Sequence, residues 1–141
     1  MGIIEKMRLD GKKGFVTGAA RGIGKSTAKA FAEAGADVAI VDLDYDEAQK
    51  TAAELAEKTG RKVIAIRTDC TDKKQVDEMV AEVVRELGGL DFCHNNAGIC
   101  INAPAEEMTY EQWNKVININ LNGIFLKDIE AGKYMLEHSR V

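Results

Sequence analysis

Four strand-length apolar runs, each separated from the next by an amphipathic stretch of helical period, leave this chain few ways to fold. The runs are Lys13 to Thr17, Asp37 to Val41, Lys62 to Arg67 and Leu90 to Asn95. The first helical stretch is marked by Ile23, Ala30, Phe31 and Ala34, and the second by Ala48, Ala52, Leu55 and Ala56. The third carries Val76, Met79, Val80, Val83, Val84 and Leu87, and Gly88-Gly89 ends it. Strand-helix alternation of this kind predicts parallel strands joined by right-handed helical crossovers, an α/β doubly wound architecture. The runs are continuously apolar because a parallel sheet buries both faces. Beyond the fourth run comes a loop with Pro104, then one long helical pattern from about Tyr110 to His138. Its apolar positions include Trp113, Val116, Ile117, Leu121, Ile124, Phe125, Ile129, Met135 and Leu136, with Gly123 and Gly132 as points of bending or close packing. No linker or low-complexity tract interrupts residues 1–141, which read as one domain.

The first run leads straight into Thr17-Gly18-Ala19-Ala20-Arg21-Gly22-Ile23-Gly24. A glycine-rich turn between a strand and a helix is a ready anion site, because the helix N-terminus offers free N–H groups and a positive dipole. Gly18 is free to take the positive φ of a tight turn. Gly22 lets backbone approach a phosphate, and Gly24 lets the helix close on the strand. The plainer reading of such a turn is purely structural. Asp42, at the end of the second run, argues against it. A carboxylate there accepts hydrogen bonds from a ribose and repels a 2′-phosphate, which predicts NAD over NADP. Arg21 pulls the other way, as a cation able to pair with that phosphate, or it is simply a solvated loop residue.

The totals exclude other classes. A net charge of -4 gives no basic surface for nucleic acid. No apolar run reaches the roughly 18 residues of a membrane span, and the N-terminal stretch lacks the apolar segment of a signal peptide. Lys6 stands where a myristoylation signal wants Ser or Thr. Cys70, Cys93 and Cys100 have no C-x-x-C spacing, so they read as small buried apolar residues in a reducing, cytoplasmic setting rather than as disulfide or zinc ligands. Of the two histidines, His94 and His138, His94 reads as structural, and Glu54, Glu57 and Glu82 read as solvated.

The loop has the spacing G-x-x-x-G-x-G. Together with Asn95-Asn96-Ala97-Gly98 after the fourth run, it closely resembles the short-chain dehydrogenase/reductase family. Asp69 follows the third run, where that family bonds adenine through an aspartate, and Cys70 takes the next place, where a backbone N–H contributes. Trp113 and Ile119-Asn120-Leu121-Asn122-Gly123 resemble the family's long helix. The resemblance implies a Rossmann-like sheet in the order 3-2-1-4. It implies an oxidoreductase of polyols, sugars or other small alcohols. Its cofactor contacts would be Thr17, Gly18, Arg21, Gly22, Ile23, Gly24, Asp42, Asp69, Cys70 and Asn95 to Gly98. Asn95 and Asn96 also have a plain reading, as caps of backbone groups at the strand end.

The family's chemistry also needs a serine and a Tyr-x-x-x-Lys pair. Here Tyr45 is followed at that spacing by Gln49, Tyr110 by Asn114 and Tyr134 by His138, and the serines are Ser26 and Ser139. Asn120 stands at the family's catalytic asparagine, but without the lysine its role is vestigial. The chain therefore reads as a member truncated before the fifth strand, and catalytically incompetent alone. An exposed fourth-strand edge and an uncovered last helix predict a homo-oligomer through those surfaces. A non-catalytic binding or assembly module, and a remnant that binds nothing, stay open beside the dinucleotide-binding reading.

Overall fold

The computed structural model describes residues 1–138; Ser139, named above, lies outside them. Four parallel strands, β1 (Lys13–Thr17), β2 (Asp37–Asp42), β3 (Val63–Arg67) and β4 (Phe92–His94), form one sheet in the order β3-β2-β1-β4. This is the Rossmann-like order that the resemblance implied. The helices are α1 (Ile3–Lys6), α2 (Gly22–Glu33), α3 (Tyr45–Thr59), α4 (Lys73–Leu87), α5 (Tyr110–Ile117) and α6 (Gly123–His138).

Successive side chains of a strand point to opposite faces, so each strand feeds two cores. Val16, Val38 and Ile40 pack with Ala28 and Ala32 of α2 and with Ala48, Ala52 and Leu55 of α3. Phe15, Ala39, Val41 and Ile66 pack on the other face with Val76, Met79, Val80, Val83 and Leu87 of α4 and Ala131 of α6. Polar caps set the helix starts. The Asp44 side chain accepts from Glu47 N–H, and that of Asp72 from Gln75 N–H. Thr109 and Gln112 cap each other's backbone in a capping box. Gly60 and Gly88 end α3 and α4 in the left-handed region.

Several expectations need correction. The buried face of α2 is Gly24, Ala28 and Ala32, while Ile23 and Ala30 are exposed. Small residues let this helix lie close on the sheet, and the larger Ile23 falls at the helix entrance, where nothing covers it. The long last helix is not one regular helix. A π-helical turn, Asn118–Asn122, separates α5 from α6. The buried face of α6 is Gly123, Lys127 and Ala131, and along the whole run Trp113, Leu121, Phe125, Ile129 and Leu136 are exposed. Gly123 does pack closely: a Cβ there would lie 2.9 Å from the Cys70 carbonyl oxygen, whereas Gly132 faces open space. Cys100 is exposed rather than buried; all three cysteines are free.

Glu54 is more than solvated surface. It accepts from Lys25 of α2 and Lys58 of α3, both at 2.6 Å, and ties the two helices on one face of the sheet. These lysines hold its carboxyl down at about 2. A depressed carboxylate stabilises the fold above its unfolded value of 4.5, and that contribution is lost as pH falls toward about 2. Urea titrations of the wild type and Glu54→Gln should therefore differ modestly at pH 6, and the gap should close between those two pH values. A gap that persists at the acid end would remove this assignment.

Candidate functional site: a cavity at the C-terminal edge of the sheet

The turn after β1 and the turn after β4 are sewn together. Thr17, fully buried, accepts at its Oγ1 from the N–H of Asn96 and of Ala97, both at 3.1 Å. Asn96 Nδ2 donates to the carbonyls of Thr17 (3.1 Å) and Gly18 (3.2 Å). Such close approach demands glycine. A Cβ on Gly24 would lie 2.3 Å from the Gly18 oxygen and 2.7 Å from Asn96 Nδ2. Gly18 and Gly22 both have a φ of 62°, the left-handed region. A Cβ on Gly22 would meet nothing within 4 Å, so its surroundings are open. Arg21 gives α2 no side-chain cap. The first N–H groups of a 12-residue helix thus face open space beside a glycine turn, as anion binding requires.

Next to this turn lies a cavity of about 280 Å³. Gly18, Asp42, Asp69, Cys70, Ala97 and Gly98, all singled out from sequence, line it. So do Leu43, Thr68, Thr71 and Ile99, which were not, and Ile119, named only within the long-helix run. The sequence signal for most of these was adjacency alone, since each neighbours a residue already chosen at a strand end or in the Asn-rich run. Asp42 is oriented by backbone donors: Ala20 N–H on Oδ2 and Asp44 N–H on Oδ1, each at 3.1 Å. Asp69 Oδ1 accepts from the N–H and the hydroxyl of Thr71, at 2.9 and 2.7 Å. Burial pushes the Cys70 thiol up.

The remaining predicted residues lie around the cavity rather than in its wall. Arg21 pairs with Asp44 at 2.5 Å. That contact, with the Glu47 N–H as the larger cause, holds the Asp44 carboxyl below the usual range. Ile23 is 78% exposed at the start of α2. Asn95 donates to Asp128 at 2.6 Å, while its own Oδ1 is buried without a partner. Asn120, in the π turn, clamps Ile99: its Oδ1 accepts from Ile99 N–H and its Nδ2 donates to Ile99 O, both at 2.8 Å. The extra residue of a π turn turns this amide toward the β4 loop, and such turns recur at functional sites. Asn96 and Asn120 are thus both spent on backbone, the plainer of the readings open for Asn96.

The family profile described as short chain dehydrogenase matches residues 12–140. The chain belongs to the short-chain dehydrogenase family. It is 42% identical over 134 residues to sorbitol dehydrogenase of Cereibacter sphaeroides, a match covering 95% of this chain and 51% of that protein. Galactitol 2-dehydrogenase of Agrobacterium fabrum is 44% identical over 134 residues, with the same two coverages. A short-chain type dehydrogenase/reductase from Mycobacterium marinum superposes with a TM-score of 0.93 at 37% identity, over 97% of this chain and 55% of its own. A short chain dehydrogenase from Burkholderia cenocepacia, solved in complex with NADP, superposes with a TM-score of 0.84 at 37% identity, over 90% and 52%. The chain spans about half the length of the curated relatives it matches. Among the described residues no helix is long and apolar enough to cross a membrane.

Replacing Thr17 by Val keeps the shape and removes the acceptor shared by two partly buried N–H groups. Stability should fall by about 1–3 kcal/mol, the cost of leaving partly buried donors unsatisfied. Chemical denaturation measures it, and a neutral result would show that the two turns do not depend on this hydroxyl.

Proposed function

We propose that residues 1–141 act as one nicotinamide-dinucleotide-binding domain that prefers NAD to NADP. The observation that carries this reading is the pairing at the cavity mouth. Asp42 lines the cavity with its carboxylate fixed by two backbone donors, and Arg21, the cation that would favour a 2′-phosphate, is engaged by Asp44. A ribose diol can donate to Asp42, whereas a 2′-phosphate would meet its negative charge. The pyrophosphate would lie on Gly18, Gly22, Ile23 and the start of α2, with Thr17 and Gly24 shaping the turn beneath. Asp69 and the Cys70 N–H would take the adenine, and Asn95 to Gly98 would border the ribose. The NADP bound by the Burkholderia cenocepacia protein leaves the preference of this chain to its own residues.

The substrate class we infer is a polyol, sugar or other small alcohol, in keeping with the names of the sorbitol and galactitol dehydrogenases. Bound dinucleotide would supply the hydride acceptor. These 141 residues contain no Tyr-x-x-x-Lys, so by themselves they should bind cofactor without transferring hydride at the family's rate, and Asn120 serves as a clamp. A reducing, cytoplasmic setting suits three free thiols. A fluorescence titration tests the binding: NADH should bind about tenfold tighter than NADPH, a difference of about 1.4 kcal/mol. Asp42→Ala should shrink that ratio. Equal affinity would overturn the preference, and no binding at millimolar NADH would leave only a remnant.

A second reading concerns assembly. Trp113 (55% exposed), Leu121 (60%) and Phe125 (62%) stand on α5, the π turn and α6, and β4 is a three-residue edge strand. Covering that apolar surface, at about 25 cal/mol per Å², favours a homo-oligomer through the last helix and the β4 edge. Sedimentation should give a dimer or larger species that Phe125→Asp dissociates. A dilute wild-type monomer would sink this reading.

A further inference from the structure

Thr51 has no place in the binding scheme above. It stands on the inner face of α3, 1% exposed, about two turns on from the Asp44 cap. A threonine inside a helix commonly returns its hydroxyl to the carbonyl four residues back, as Thr27 and Thr59 do here. Thr51 sends its hydroxyl out of the helix instead: Oγ1 donates to the Ala20 carbonyl at 2.6 Å. Ala20 lies in the glycine turn and is itself 1% exposed. It is held on both sides. Its N–H donates to Asp42 Oδ2 at 3.1 Å, and its carbonyl belongs to the peptide that leads into Arg21. Ala20 thus adjoins both side chains on which the cofactor preference turns. Asp44 also acts on that pair, fixing Asp42 Oδ1 through its N–H and holding Arg21 through its carboxylate. The Arg21–Asp44 ion pair is exposed, and such pairs contribute little. The Thr51–Ala20 bond is shielded from water, where a lost partner costs more.

We propose that Thr51 is a positioning residue for cofactor selection: by holding the Ala20 carbonyl it keeps the Ala20 N–H on Asp42, and so keeps the Asp42 carboxylate oriented along the cavity wall. This rests on Asp42 being the group that selects NAD. A carboxylate already fixed in one orientation accepts from a ribose diol without first being ordered, and that ordering would otherwise be lost from the affinity. Without the Thr51 hydroxyl the Ala20 peptide is free to tilt, its N–H leaves Oδ2, and Asp42 is ordered only when the dinucleotide arrives. NADH then loses affinity. NADPH, which gains nothing from an ordered carboxylate beside its 2′-phosphate, loses less.

The test titrates NADH and NADPH, by fluorescence, against the full chain and its Thr51 variants, each checked for folding by circular dichroism. Thr51→Val should weaken NADH about fivefold, the scale of one buried hydrogen bond, and NADPH by less, so that the preference for NADH shrinks. Thr51→Ser retains the donor and should keep both affinities near the wild type. In an Asp42→Ala background Thr51→Val should leave the ratio of the two affinities unchanged, because the group it acts through is gone. Thr51→Cys fills the same space with a weaker donor and should move the ratio the same way by a smaller factor; it carries the test if the valine variant does not fold. A folded variant without the hydroxyl that keeps the wild-type ratio, whether both affinities stay or both fall equally, would overturn the proposal and leave the NAD preference of the wild type standing. A shift in ratio that survives in the Asp42→Ala background would overturn it too. A wild-type chain with no preference for NADH removes both the NAD preference and the role of Thr51.

Discussion

The close approach of the β1 and β4 turns carries the rest of this molecule. Thr17 offers one oxygen to two backbone donors from the β4 side, and Asn96 returns two donors to the β1 side. The contact admits no extra atom, which is why Gly18 and Gly24 are glycine. It fixes the start of α2 relative to the cavity floor, and through Gly98 and Ile99 it reaches the π turn, where Asn120 closes the same loop from the other side. Asn96, within the β4 loop, holds the β1 turn by its backbone, and Asn120 holds the β4 loop by its own.

The fold was legible because its determinants are local and periodic. Runs such as Asp37 to Val41 have the length and the β-branched content of a buried strand, and the caps at Asp44, Asp72 and Thr109 lie where short polar residues precede helical periodicity. The errors came where period alone cannot choose a face. On α2 the apolar residue Ile23 is exposed and small Ala28 is buried, because sheet proximity rather than hydrophobicity selects the inner face. On α6 a lysine takes the buried position and Phe125 the outer one. The π turn escaped because it adds one residue to a helix without changing its composition, although the run Asn118, Asn120, Asn122 marks the place.

The candidate site was legible in part. Glycines and carboxylates at strand ends announce themselves by spacing, and Gly18, Asp42, Asp69 and Cys70 do line one cavity. Partnerships do not announce themselves. That Arg21 is held by Asp44, and that Asn96 and Asn120 spend their amides on backbone, depends on side-chain directions set by the tertiary fold. Lys127 is the extreme case: a charge within Leu126 to Glu130 looks like surface until the helix is laid on the sheet.

Thr17 and Asn96 are 79 residues apart in the chain. Every strand pairing here is parallel, so each needs a helical crossover before it can close. The contact that shapes the cavity is thus among the most distant in sequence, and bringing its ends together carries a large loop-closure entropy. β3, β2 and β1 are able to assemble without it, since their pairings lie within residues 13–67. The cavity therefore exists only in chains that have completed the final docking of β4. A ligand held there would bind none of the earlier folding species, and would draw the population toward the finished fold by mass action alone.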